Sequence, residues 1–293
     1  MKKHTKKICN TVILLAVIAG LFTGCSSSET PDDGPVPPDG GNLSLGDTQP
    51  AETEVTVSSI EELVEAIAPN TKIILEPGSY ILSEYLDEVW EVQGEMWNVN
   101  HEYVQIRECY DGLELLIQNV AYLSISGGTG EFNDTQIVTE PRYATVLNFY
   151  QCSEVEMKSI TIGHTDYSSC EGNVLDFYGC NDVRLDNMDI FGCGLYGIGA
   201  MKNCGNITVN DSFIRDCSDG SLWLDGGTGT YEFNNCSLVG SWGGGCYFKS
   251  DSSELRFMDC EFGEGETNIW YFCEDAEFID CKWSEVTEYP EFG

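Results

Sequence analysis

The stretch NVLDFYGCNDVRLDNMDIFGC (173–193), followed by IGAMKNCGNITVNDSFIRDC (198–217) and LWLDGGTGTYEFNNCSLVGS (222–241), repeats one skeleton three times. An apolar-x-apolar segment is followed by a turn, a second apolar-x-apolar segment, two small or polar residues, and another apolar pair. The same skeleton extends back to VLNFYQCSEVEMKSITIGHT (146–165) and forward to CYFKSDSSELRFMDCEFGEG (246–265) and NIWYFCEDAEFIDCKW (268–283). Its register is marked by Val155, Val183, Ile207, Tyr231, Leu255 and Ala276, separated by 28, 24, 24, 24 and 21 residues. A period in that range is a solenoid signature. Two-residue alternation is the period of strands, and Gly, Asn, Asp and Ser at the junctions supply turn chemistry. Units of three short strands stack as a parallel β-helix, coil over coil at about 4.8 Å, with like positions in ladders. Parallel crossovers favour the right hand. The expected fold is therefore an all-β, right-handed parallel β-helix solenoid.

Upstream of the repeat the chain changes character. MKKHTKKICNTVILLAVIAGLFTGC has a basic head, an apolar run and a small residue before Cys25, the pattern of a lipoprotein signal over 1–24 with Cys25 as lipid anchor. The run is shorter than the ~20 residues of a membrane-spanning helix. Residues 25–54, rich in Ser, Pro, Gly and acids, hold almost nothing to bury and read as a disordered tether. The β-helix domain is expected over 55–285, with 286–293 as a C-terminal tail. Within it, SSIEELVEAIAPNT carries a Ser cap, early acids and Ile60, Leu63, Val64 and Ile67 on one face. That is a short amphipathic helix, 58–70, placed before the first strand to close the solenoid's open end. Residues 84–112 break the rhythm and contain Trp90, Trp97, His101, Tyr103, Arg107 and Cys109, an insertion of the kind that carries binding loops or forms an irregular early coil.

At this point the chain resembles the bacterial right-handed parallel β-helix repeat proteins, the superfamily that includes pectate lyases and polygalacturonases, over roughly Val55 to Trp283. The resemblance implies architecture more than activity, since that fold hosts lyases, hydrolases and adhesins. The polygalacturonase pattern of NxD, DD, GHG and RxK, taken in that order, is matched only by Gly163-His164-Thr165, with Thr in place of the final Gly. Pectate lyases use a basic residue with Ca²⁺; Lys249 and Arg256 match by type alone. A pair of carboxyls for an inverting hydrolase is also absent from the outer columns as aligned at the repeat period, which read Phe149, Phe177, Met201, Asp225, Lys249 and Trp270.

Two surface regions carry candidate chemistry. If Leu222, Leu224, Cys246, Phe248 and Ile269 face inward, then Trp223, Asp225, Tyr247, Lys249 and Trp270 face out. Aromatics on three consecutive coils make a platform for sugar rings, with Asp225 and Lys249 beside it for hydroxyls or a carboxylate. A one-residue slip would bury Trp223 and Tyr247 instead. The second region gathers short turns: Arg142, His164 and Asp166 supply a base, an anion clamp and a partner if they meet, whereas His164 bonded to turn carbonyls would be purely structural.

Removing the signal's four lysines from 14 basic residues leaves 10 against 49 acidic ones, a formal charge of −39. This opposes nucleic acid and disfavours polyuronates unless Ca²⁺ bridges the anions. Of the 14 cysteines, 12 lie beyond Cys25. Cys152, Cys180, Cys204 and Cys273 align in one column, Cys236, Cys260 and Cys281 in a second, and Cys193 with Cys217 in a third. These read as buried thiol ladders, with a Cys193–Cys217 bridge left open. No CxxC occurs and His101 and His164 are the histidines beyond the signal, so no metal site is expected. The resulting expectation is a monomeric, extracytoplasmic protein, lipid-anchored at a bacterial surface, that binds extracellular glycan or a related ligand without turnover and needs no cofactor, Ca²⁺ being left open. The alternatives are a polysaccharide-active enzyme, lyase before hydrolase, and a structural spacer or adhesin.

Overall fold

The computed structural model describes residues 52–165, 171–192, 194–239, 246–249, 253–263 and 276–283; of Lys249 it describes the backbone. The signal, most of the tether, Cys25, Asp166, Cys193, Trp270, Cys273 and the 286–293 tail lie outside them. The described chain winds as a right-handed parallel β-helix with three sheets of nine, eight and seven strands, here sheets A, B and C. Each full coil passes from a sheet C strand to sheet A, then sheet B, then a longer loop back to sheet C. The register series stands in one column of sheet A, Val155 over Val183, Ile207, Tyr231, Leu255 and Ala276.

Alternation decides which side chains fill the coil. In sheet C, Leu147 and Phe149 stack on Leu175 and Phe177, and all four are buried. The Phe149 and Phe177 rings lie 5.1 Å apart at 16°. In sheet A the column Phe233, Phe257, Phe278 repeats this at 5.1 and 5.2 Å. Each fully buried phenylalanine contributes roughly 1.5–3 kcal/mol relative to exposure, so these ladders are the main cohesive element between coils.

The corner between sheets A and B is a single residue in the left-handed region on six successive coils: Ser159, Asn187, Asp211, Asn235, Asp259 and Asp280, with φ from 51° to 56°. Asn and Asp tolerate that conformation best among residues with a side chain. The backbone N–H of each of the first five donates to a carbonyl of the following coil at 2.8 to 3.0 Å, so the corners are tied as well as shaped.

The corner between sheets C and A houses the thiols. Cys180 donates to the Phe149 carbonyl at 3.3 Å and Cys204 to that of Phe177 at 3.2 Å. Cys236, Cys260 and Cys281 do the same one corner later. The cysteines of both ladders that fall among the described residues are free. Burial pushes the Cys204 thiol up, away from the reactive thiolate.

At the N-terminal end the structure differs from expectation in order. A strand, Thr53–Val57, precedes the helix and pairs in parallel with Thr71–Leu75 at the edge of sheet A. Helix α1, Ile60–Ala66, follows it, with Ser59 Oγ accepting from Glu62 N–H at 3.2 Å and Glu62 reaching back to Ser58 N–H at 2.8 Å. This reciprocal cap is sufficient to start so short a helix. The insertion is neither a loop nor a coil. It forms α2, Leu82–Gln93, α3, Glu95–Asn100, and a strand, Val104–Glu108, that pairs antiparallel with Leu113–Gln118 and ends sheet C. Asn98 covers the outer edge of that strand, its amide donating to Ile106 C=O at 2.9 Å and its carbonyl accepting from Ile106 N–H at 2.7 Å. A side chain thus replaces the next strand, which keeps the edge from recruiting another chain.

Candidate functional site

The outer face of sheet C is built by the positions between the buried ones. Register places Asn148, Asp176, Gly199, Trp223 and Tyr247 in one outward column, and Tyr150, Tyr178, Met201, Asp225 and Lys249 in the next. The column expected to read Phe149, Phe177, Met201 is therefore corrected: both phenylalanines point inward and Tyr150 and Tyr178 take the outer places. The cause is one residue in the C-to-A corner. Phe177 to Val183 spans six residues but Ala200 to Ile207 spans seven, so alignment by the sheet A period slips by one in sheet C.

Trp223 and Tyr247 lie where the alternation expects them, half-buried on the outer face, with rings parallel at 4.0 Å and 13°. Tyr196 leans on Trp223 at 5.1 Å, and its hydroxyl donates to Asp219 Oδ2 at 2.5 Å. Asp225 occupies the neighbouring column, in register with Lys249. Two coils away, Tyr150 and Tyr178 stack at 5.4 Å.

Beside the tyrosine pair stand two carboxyls that the sequence alignment missed. Glu114, on Leu113–Gln118, pairs with Arg107 at 2.7 Å, and its other oxygen accepts from Thr145 N–H at 3.0 Å and Asn148 Nδ2 at 3.3 Å. Asp176 accepts from Asn173 Nδ2 at 2.7 Å and from Thr145 Oγ1 at 3.3 Å. One residue, Thr145, holds both. Asp176 fits because its column neighbour is Gly199: a Cβ there would stand 2.1 Å from Asp176 Oδ1. Burial pushes the Asp176 carboxyl above the usual aspartate range and the Glu114 charge adds to it, against the pull of the Asn173 and Thr145 bonds and of Arg107. Arg107, Asn148, Tyr150, Asp176, Tyr178 and Met201 line a cleft of about 260 Å³. The insertion thus does contribute to this face, through Arg107. The available signal was a polar residue between two inward ones, Asp176 in LDFY, Asn148 in LNFY and Glu114 in LELL.

The turn cluster is placed differently. His164 is 1% exposed and its Nε2 donates to the Ala144 carbonyl at 2.8 Å, inside the coil. Arg142 is half-buried; its N–H donates to Asp111 Oδ2 at 2.8 Å and its carbonyl accepts from the N–H groups of Glu171 and Gly172. Its partner in the expected cluster, Asp166, lies outside the described residues. Among the described residues no group of three His, Cys, Asp or Glu is placed to hold a metal ion, and no helix is long and apolar enough to cross a membrane.

Among solved structures, the chain is similar to a pectin methylesterase from Aspergillus niger, at 10% identity over 82% of each chain with a TM-score of 0.49. It is also similar to a pectate lyase from Xanthomonas campestris, at 10% identity over 81% of each chain with a TM-score of 0.36. No curated protein matches. Residues 94–283 match the family model described as right handed beta helix region, and with that span and the observed winding the chain belongs to the right-handed β-helix family.

Proposed function

We propose that this protein acts on polysaccharide, binding a glycan along the outer face of sheet C and hydrolysing it with Asp176 and Glu114. The carrying observation is that Thr145 joins two carboxyls in unequal surroundings, one pushed toward its protonated form and one held in an ion pair by Arg107. Pairs separated in this way divide the work of acid and base. Asp176 gives its proton to the leaving oxygen as the C–O bond breaks, Glu114 takes a proton from the attacking water, and the water oxygen forms the new bond to carbon. Elimination, which the sequence favoured over hydrolysis, was expected to use a basic residue; Arg107, the cation lining the cleft, is paired with Glu114. Trp223 and Tyr247 supply the stacking surface. Measurement of reducing ends released from a polysaccharide panel tests the reading. Asp176→Asn is expected to lower the rate by about 10²–10⁴ with the fold intact, and an unchanged rate refutes it.

A second reading, binding without turnover, is favoured by one fact: both Asp176 oxygens already accept hydrogen bonds from the protein. In that case no polymer yields new ends while affinity persists. Export and a lipid anchor at Cys25 are part of the proposal; incorporation of labelled palmitate, lost in Cys25→Ser, is its test.

A further inference from the structure

Tyr110 is 85% exposed at the tip of the hairpin joining Val104–Glu108 to Leu113–Gln118, where turn chemistry ordinarily selects a polar side chain. It stands against Tyr143, itself 37% exposed, with ring centroids 4.8 Å apart and a 51° tilt. The pair is fixed from beneath. Cys109 N–H donates to Gly112 C=O at 2.9 Å to close the turn, and the Asp111 carboxylate accepts from Arg142 and Tyr143 N–H at 2.8 and 3.0 Å. Gly112 lets Pro141 pack beneath the hairpin, since a Cβ there would meet Pro141 Cγ at 2.5 Å. Two phenol rings therefore meet at the surface on backbone that Asp111 holds, with no core to fill. They also stand close to the chemistry: Tyr143 is two residues before Thr145, and the hairpin strands carry Arg107 and Glu114.

Resting on the proposed function, we infer that Tyr110 and Tyr143 form a second sugar-stacking platform, across the carboxyl pair from Trp223 and Tyr247, and that the glycan is an extended chain without negative charge. Length follows from the coil. The strand of Glu114 and the strand of Tyr247 are five steps apart in sheet C, about 24 Å at ~4.8 Å per step, a span that a mono- or disaccharide cannot bridge. Charge follows from what lies between and beside the platforms. Asp219 and Asp225 stand on or at the rim of this face, the latter in register with Lys249, and Arg107 and Glu114 cancel each other. Uronate carboxylates would be repelled by a chain of formal charge −35 and would find Arg107 already paired with Glu114, whereas neutral sugar rings offer apolar faces to tyrosine and hydroxyls to the acids.

Titration of the full-length protein with cello-, manno- and xylohexaose, the matching disaccharides and hexagalacturonate tests this. At least one neutral hexaose is expected to bind, to weaken roughly tenfold in Tyr110→Ala and to leave its disaccharide's affinity unchanged. Hexagalacturonate is expected to bind at least tenfold more weakly and to improve with added salt as repulsion is screened. Preferential binding of hexagalacturonate overturns the charge assignment while leaving a glycan site in place. A neutral hexaose indifferent to Tyr110→Ala overturns the platform. Silence from every sugar defeats both this inference and the proposed function on which it stands.

Discussion

Sheets A and C are wound from the same coils, yet their outer faces differ in what stands on them: ion pairs on one, stacked rings beside carboxyls on the other. On sheet A the arginines find partners on their own face: Arg184 holds Asp186 at 2.6 Å, and Arg256 reaches Glu232, Glu254 and Glu277 at 3.4, 2.6 and 3.2 Å. Such exposed pairs contribute about 0–1 kcal/mol each, so they do little to hold the coils together. On sheet C, Arg107 is paired with Glu114, Asp225 stands in register with Lys249, and stacked aromatics occupy both outward columns. Winding fixes only the inward half of each strand. The outward half is free to vary, and sheet C has used that freedom to place carboxyls beside stacked rings, an arrangement that makes sense for a ligand and not for the coil.

The sharpest way to break the comparison is to exchange in for out on one strand. Phe177 is buried between Phe149 and Ala200, whereas Tyr178, beside it, faces solvent on the cleft. Phe177→Ala is expected to destabilise the protein by about 3–5 kcal/mol and Tyr178→Ala by less than ~1 kcal/mol in urea unfolding. Equal losses would mean that the two faces are not divided as described.

This division also explains what the sequence made legible. The inward series from Val155 to Ala276 could be read because ladders demand apolar residues at every coil, and the αL corners repeat the same 28, 24, 24, 24 and 21 spacing. The thiol ladders and the outward placement of Trp223 and Tyr247 could be read for the same reason. The carboxyl pair could not. It joins residues 114, 145 and 176 from three coils, needs an empty Cβ position at Gly199, and is displaced from the repeat by one residue in a corner. The strand Thr53–Val57 was missed because TEVTV lies among tether-like residues and gains its order from pairing with Thr71–Leu75.

A smaller effect separates the two faces by pH. Because Asp176 has its carboxyl pushed up in the folded state, the folded protein binds more protons there than the unfolded chain once pH exceeds the ordinary value of about 3.9. Its contribution to stability is therefore full below that value and lost as pH rises through the folded value. Asp176→Asn removes this dependence, so its unfolding free energy relative to wild type is expected to climb with pH across that window and then level off. A difference that stays flat with pH would show that Asp176 is not desolvated on its face.

The smallest change is on sheet A, where an amide ladder stops one rung early. Asn210 donates to Asp186 Oδ1 at 2.6 Å and Asn234 to Asn210 Oδ1 at 2.8 Å, but the next residue in the column is Met258. Asn234 Oδ1 is left buried with no partner among the described residues. Met258→Asn would continue the ladder by donating its amide to that oxygen, and a hydrogen bond of this kind adds about 0.5–1.5 kcal/mol. The expected result is a gain of that size in urea unfolding with no change in glycan affinity, because the ladder belongs to the self-satisfied face. A loss of affinity for sugar in Met258→Asn would instead mean that sheet A takes part in binding, and the contrast between the faces would have to be abandoned.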